Sequence, residues 1–463
     1  MISGTTLLVA GLAVALGLWG TLLLLWAGPI TARRRAGAVY TLAVAQPLAV
    51  LLLSTRTVGI DGATSAVSHT VGLVGRAMNL TMLGVGVTLL LVPGERVGRG
   101  GRLLIGGIWA MALALVIANV YSPSPGSVRY EFYFAVALTA VMLGVPDRVT
   151  LTVWARRTLR VVVLVSLGAA VVAPAWAFIG EGTQGYDRTI FGVPRLTGLS
   201  PHPNVLSAIA VAALLVEVGF RHGPRWAQVC AGLAAVACVL LTQSNTGYIA
   251  AAVGVLAVLA VRHAGGRRIL VAGAIALLGV YVFWPQAIIP ASLRSSDYVN
   301  SVSGRTTIWR LSLDEWRRHP LTGYGPSIYS PSYLSSHFPS NLQATNGHNQ
   351  VIQTLADSGL LGAGGLALVI AATVLCAWRA RRVDGGLSLA LAAAFCTFGL
   401  TETPLRVVGV GAVLALATLG IALVGSREAA NATAGLAASE RADRARGEGV
   451  ASGVVLRQRL GFD

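Results

Sequence analysis

The residues best suited to chemistry lie in one polar stretch, Ser303 to Gly362. It reads SGRTTIWRLSLDEWRRHPLTGYGPSIYSPSYLSSHFPSNLQATNGHNQVIQTLADSGLLG. It gathers Arg305, Arg310, Arg317, Arg318, His319, His337 and His348 in a chain otherwise made almost wholly of apolar runs. A histidine can take the proton of a hydroxyl as that hydroxyl attacks. It can also simply cap a helix, and Asn346-Gly347-His348-Asn349 stands directly before a long apolar run. A second polar stretch, Gly180 to Asn204, places Arg195 before a Pro/Gly-punctuated entry into the next apolar run, with His202 and Asn204 at its mouth. Arg195 there either snorkels to lipid headgroups or grips an anionic one.

The elements that must position these residues are membrane spans. The chain has 463 residues, 55% of them hydrophobic and 11% charged, with a mean hydropathy of +0.71. A soluble domain carries about 25% charged residues, so this composition excludes a soluble globular fold. It indicates an all-α polytopic membrane protein. Apolar runs of span length fall near 4–27, 36–55, 71–92, 103–121, 130–146, 159–179, 203–220, 225–241, 246–261, 268–285, 350–377, 386–402 and 406–424, about 12–13 transmembrane helices. The first run is too long for a signal-peptide core and has no basic residue before it, so it reads as a retained span. The four cysteines lie inside apolar runs without metal-ligand spacing and read as small hydrophobes.

The net charge is +17 and every basic residue is arginine. Arginines concentrate in alternate short loops, around Arg33–Arg35, Arg96–Arg102, Arg148–Arg157, Arg221–Arg225, Arg262–Arg268 and Arg379–Arg382. The positive-inside rule places those loops in the cytoplasm, with membrane lipids rather than nucleic acid as the partner of the basic surface. The intervening loops, including both polar stretches, then face outward. Arginine kept on that side lacks the usual topological reason, which favours a ligand.

The expected organisation is ten spans over 1–284, an extracytoplasmic loop over 285–349, three spans over 350–424, and a disordered or weakly helical cytoplasmic tail over 425–463. Within the large loop, Thr306–Arg318 has the spacing of an amphipathic interfacial helix. HPLTGYGP (His319–Pro326) follows as a glycine-bearing turn. The short segment TQSNTG (Thr242–Gly247) supplies helix caps or polar contacts at the same boundary.

Three of these pieces together, SGRTTIW (Ser303–Trp309), HPLTGYG (His319–Gly325) and HNQVIQTLADSGLLG (His348–Gly362), resemble the O-antigen ligase and O-antigen polymerase (Wzy-type) superfamily of membrane glycosyltransferases. RLTGLSPHPNVLS (Arg195–Ser207) is a weaker match. The resemblance implies a GT-C-like, metal-independent enzyme of the cell membrane with an extracytoplasmic active site and no cofactor. It implies transfer of a glycan from undecaprenyl diphosphate to an acceptor glycan or lipid, in surface polysaccharide polymerisation or ligation. By matching positions, Arg195 and Arg305 hold the diphosphate, His348 activates the acceptor, and Asn349, His202 and Glu402 join the substrate site. Physics agrees: guanidinium pairs with phosphate oxygens and steadies charge on a leaving diphosphate. Family members often carry arginine in the segment here written SNTG, where this chain has Asn245. Either Arg188, Arg294 or Arg406 replaces it, or the substrate is held differently. No D-x-D pair occurs in the outward loops, which argues against a metal-dependent transferase.

The competing reading is a transporter of lipid-linked oligosaccharide or a small anion. That would call for ionisable residues at mid-membrane and broken helices, whereas the polar residues here sit in the outward loops.

Overall fold

The computed structural model describes residues 32–53, 55–59, 62–66, 99–122, 129–145, 147–178, 193–263, 296–337, 346–405 and 411–445, with scattered positions in 78–86 and 265–273. The expected span at 4–27, and most of those at 71–92 and 268–285, lie outside the described residues, as do Arg188, Arg294 and Arg406.

The architecture is all-α. Helices α1 (Ala32–Leu53), α2 (Arg99–Tyr121), α3 (Arg129–Gly144), α4 (Arg148–Val172), a single turn α5 (Pro174–Ala177), α6 (Pro203–Gly219), α7 (Arg225–Thr242) and α8 (Asn245–Arg262) precede the large loop. The loop holds α9 (Ser296–Arg318) and α10 (Pro331–His337). The chain then continues through α11 (Gln350–Ala380), α12 (Leu387–Gly399) and α13 (Gly411–Ala445). An antiparallel hairpin, β1 (Thr55–Gly59) with β2 (Gly62–Ala66), follows α1 and pairs Thr55 with Ala66 and Gly59 with Gly62. Among the described residues, α2, α7, α8 and α11 are long and apolar enough to cross a membrane by length and composition. The chain is a multi-pass membrane protein.

Small residues set the closest helix approach. A Cβ on Gly107 of α2 would lie 2.9 Å from the Val369 backbone nitrogen of α11. One on Gly365 would lie 2.8 Å from that of Met111. Such contact lets two backbones pack where no hydrophobic drive separates helix from lipid. Around this pair, Leu104, Leu138, Leu151, Leu159, Leu206, Ile209, Leu215 and Phe398 form one buried core. A smaller core of Ile308, Tyr324, Ile328, Tyr329, Tyr333 and Ala356 anchors the large loop on α11.

Two expectations are corrected. Helix α4 begins at Arg148, eleven positions before the expected start, so Arg156 lies inside a helix rather than in a loop. Asp147 caps that start, accepting from the Thr150 amide at 2.6 Å. Arg156, itself buried, pairs with Glu217 at 2.6 Å, which removes the charge cost of the earlier start. The loop helix runs from Ser296, not Thr306. Of the tail, expected to be disordered or weakly helical, the part to Ala445 continues α13. This continuation is tied down by Arg427, which donates to the Val145 carbonyl at 2.6 Å, and by Glu428, which pairs with Arg148 at 3.3 Å.

Helix α11 is broken at Gly359, where φ is 60° and ψ is −153°. The HPLTGYG turn docks into that break. Tyr324 donates its amide to the Ala356 carbonyl at 2.8 Å, and the amides of Leu360 and Leu361 donate to the carbonyls of Pro320 and Leu321 at 2.9 and 3.2 Å. The backbone groups freed by the kink are thus paired with the turn, as a buried break requires.

Candidate active site

Four separate stretches meet at one end of the bundle. The first is the extended segment before α6. Leu196 donates its amide to the Leu241 carbonyl and Thr197 to that of Ala177, each at 2.8 Å. This stitches the segment between α5 and the end of α7. Arg195 is thereby held buried, donating from Nε to the Thr242 carbonyl at 3.0 Å and from Nη2 to Asn204 Oδ1 at 2.8 Å. His202 is the N-cap of α6, its Nδ1 accepting from the Asn204 amide at 3.1 Å, with Pro203 following in the first turn.

The second stretch is Asn346–Asn349. His348 has a left-handed backbone, φ 45°, a strained setting for a residue with a side chain. Asn346 Oδ1 holds it by accepting the His348 amide at 2.7 Å. Gly347 fixes the same turn on both sides: its carbonyl accepts from Trp309 Nε1 at 2.8 Å and its amide donates to Gln353 Oε1 at 2.6 Å. Asn349 caps α11 through the amides of Val351 and Ile352 at 2.9 and 3.1 Å. Its Nδ2 donates to the Leu400 carbonyl at 2.9 Å.

The third stretch is the turn after α12, which carries Glu402. Besides the Asn349 contact, Leu405 donates its amide to Gln350 Oε1 at 2.9 Å, and the Thr401 and Thr246 hydroxyls bond at 2.7 Å. The fourth is α9, which presents Arg305. The Glu402 carboxylate is the common acceptor. Its Oε1 takes Asn204 Nδ2 at 2.5 Å and Arg305 Nη2 at 3.2 Å. Its Oε2 lies 3.6 Å from His348 Nδ1. That spacing is too long for a hydrogen bond and short enough for an ion pair once the imidazole is protonated. His348 Nδ1 is buried without a hydrogen-bond partner.

Burial alone would raise the Glu402 carboxyl, but the His348 imidazole and the charges of Arg305 and His202 outweigh it, and hold it down at about 2. Burial, helped by the positive charges of Arg195 and Arg305 and by the neighbouring His348 imidazole, pushes His202 down to about 4 against the opposing pull of Glu402. Glu402 is therefore an anion and His202 a neutral acceptor at physiological pH. With two guanidinium groups against one carboxylate, the cluster keeps an excess of positive charge.

The sequence-expected residues Arg195, His202, Arg305, His348 and Glu402 come together, and Asn349 adjoins them as a cap. Arg195 is enclosed rather than open, while the Arg305 side chain keeps 36% of its surface accessible. Asn204, in sequence only a residue at the mouth of the helix, joins Arg195 to Glu402. Its signal was positional, an amide in the first turn behind a Pro, where His202 already fills the cap. Arg317 and Arg318 pair with Asp314 and Glu315 on their own helix at 2.5 and 2.7 Å, away from this cluster. Among the described residues, no group of three or more His, Cys, Asp or Glu is arranged to hold a metal ion.

Residues 230–367 match the family model described as O-antigen ligase. That stretch is similar to the O-antigen ligase family and contains the three loop motifs. The match covers less than a third of the sequence. It contains Arg305 and His348; Arg195, Asn204 and Glu402 fall outside it and are joined to it by the geometry above. No curated protein matches the chain.

Proposed function

We propose that this O-antigen ligase-type protein transfers a glycan from undecaprenyl diphosphate to an acceptor hydroxyl at the extracytoplasmic face of the cell membrane, without a metal ion. The observation that carries the reading is the convergence of Arg305 and His348, 43 positions apart in sequence, on the single carboxylate of Glu402.

The acceptor oxygen attacks the anomeric carbon of the donor sugar. The bond from that carbon to the phosphate oxygen breaks, and the diphosphate leaves on its prenyl chain. His348 takes the acceptor proton through Nε2, because Nδ1 faces Glu402; the carboxylate then stabilises the imidazolium that forms. Arg305, the accessible guanidinium, contacts the diphosphate and steadies its developing charge. Arg195 acts at longer range, adding positive charge and holding Asn204. His202 and Asn349 shape the wall of the site by capping the helices that carry it.

The test compares purified wild type with Arg305→Ala on glycan carried by undecaprenyl diphosphate and by undecaprenyl monophosphate, with and without EDTA. Transfer from the diphosphate donor alone, lost in the variant and retained in EDTA, is expected. Equal use of both donors, or loss of activity in EDTA, contradicts the reading.

A further inference from the structure

At the opposite end of the bundle the structure holds a second cationic cluster. Helix α6 runs from the candidate site to Glu217, roughly 20 Å away at 1.5 Å per residue. There Arg156 binds Glu217 through Nε and Nη2 and the His222 carbonyl through Nη1 at 2.5 Å. Arg160 binds the same carboxylate at 2.6 Å. The trio carries one net positive charge in a fixed frame. Beside it opens a cleft of about 180 Å³ between α4 and α7, lined by Arg156, Arg157, Arg160, His222, Pro224 and Ala227. Arg157 and His222 are exposed, as are the flanking Arg221 and Arg225. Among the described residues the Arg157 guanidinium has no hydrogen bond or ion pair, no carboxylate lines the cleft, and Glu217 behind it is already held by two arginines.

The helix faces that lead away from the cleft are apolar and uncovered: Leu164 on α4 is 54% exposed, and Trp226 and Leu233 on α7 are 73% and 63% exposed. Trp226 lies in the first turn of α7, beside the lining residue Ala227, and tryptophan favours the membrane interface. A cationic head over two apolar flanks fits a phosphodiester with acyl chains.

We propose that this cleft binds one anionic diacyl phospholipid, its phosphodiester on Arg157 and His222 and its chains along the exposed faces of α4 and α7. A free phosphate would satisfy the head alone and leave the flanks uncovered, so the lipid is the occupant. The site is independent of the transfer reaction.

Native mass spectrometry of the full chain from neutral detergent tests it, with phosphatidylglycerol, phosphatidylcholine and inorganic phosphate as probes. Wild type is expected to retain one more phosphatidylglycerol than the Arg157→Ala/His222→Ala variant. Arg33→Ala, exposed in the first turn of α1, keeps the wild-type number. Arg157→Lys restores binding, and Arg157→Ala alone weakens it about fivefold, the effect of one surface charge. Equal retention by wild type and the double variant overturns the proposal. So does retention of phosphatidylcholine as strong as that of phosphatidylglycerol, or displacement of the lipid by inorganic phosphate.

Discussion

The Asn204 amide donates to the Glu402 carboxylate at 2.5 Å across 198 positions of sequence. Asn204 also accepts from Arg195 at 2.8 Å, so one neutral side chain transmits the orientation of a buried cation to the carboxylate shared by Arg305 and His348. Replacing Asn204 by Leu removes both bonds and leaves Arg195 Nη2 and Glu402 without that partner. Transfer is expected to fall about 10–100-fold, the usual effect of losing a supporting hydrogen bond around a reactive group. Asn204→Asp is expected to lose more, because it sets a second negative charge against Glu402. Rates on a lipid-linked glycan, with melting curves as a folding control, measure this; wild-type rates in Asn204→Leu would remove Asn204 from the account.

Glu402→Gln keeps the shape and one acceptor oxygen but removes the charge that faces His348 and Arg305. A fall in kcat with little change in KM is expected, since imidazolium forms only as the reaction proceeds. A change confined to KM would assign Glu402 to binding alone.

The pH profile separates the two histidines. With its proton affinity pushed down to about 4, His202 takes up no proton until the pH approaches that value. Its depressed folded-state value makes the native state lose stability as pH falls from the unfolded value near 6.5 towards 4, while nothing changes above that window. His202→Asn is expected to leave the pH of half-maximal activity in place and to weaken the acid-side loss of thermal stability. A displaced activity profile would show that His202 titrates in turnover.

The kink in α11 depends on two glycines. A Cβ on Gly359 would run into the Leu321 carbonyl, and one on Gly323, at φ 68°, would lie 2.7 Å from the Ala356 carbonyl oxygen. Ala at either position is expected to cost about 1–3 kcal/mol through backbone strain and lost pairing. Gly364→Ala, with open space at its Cβ, is expected to be neutral. Thermal melts in detergent compare the three; equal midpoints would show that the turn and the break are not coupled.

The sequence made the helical membrane architecture legible because apolar runs of span length leave few alternatives. It also made Arg305 and His348 legible, as polar groups bounding one loop, and the family resemblance attached roles to them. It left three things hidden. Arg156 sits in a run of arginines that reads as a loop; only its pairing with Glu217, 61 positions away, explains a buried helical arginine. The HPLTGYG turn reads as a surface turn, and its partner is the backbone of a helix break that no side-chain pattern announces. Asn204 is a common residue at a helix start, and its contact with Glu402 arises from tertiary packing of α6 against the turn after α12.

The most direct measurement is the single-turnover transfer rate of His348→Ala beside wild type and His263→Ala, an exposed histidine at the far end of α8. Loss of about 10²–10⁴-fold in His348→Ala, the range for a removed general base, with wild-type rates in His263→Ala, is the expected result. Wild-type transfer by folded His348→Ala would contradict the account.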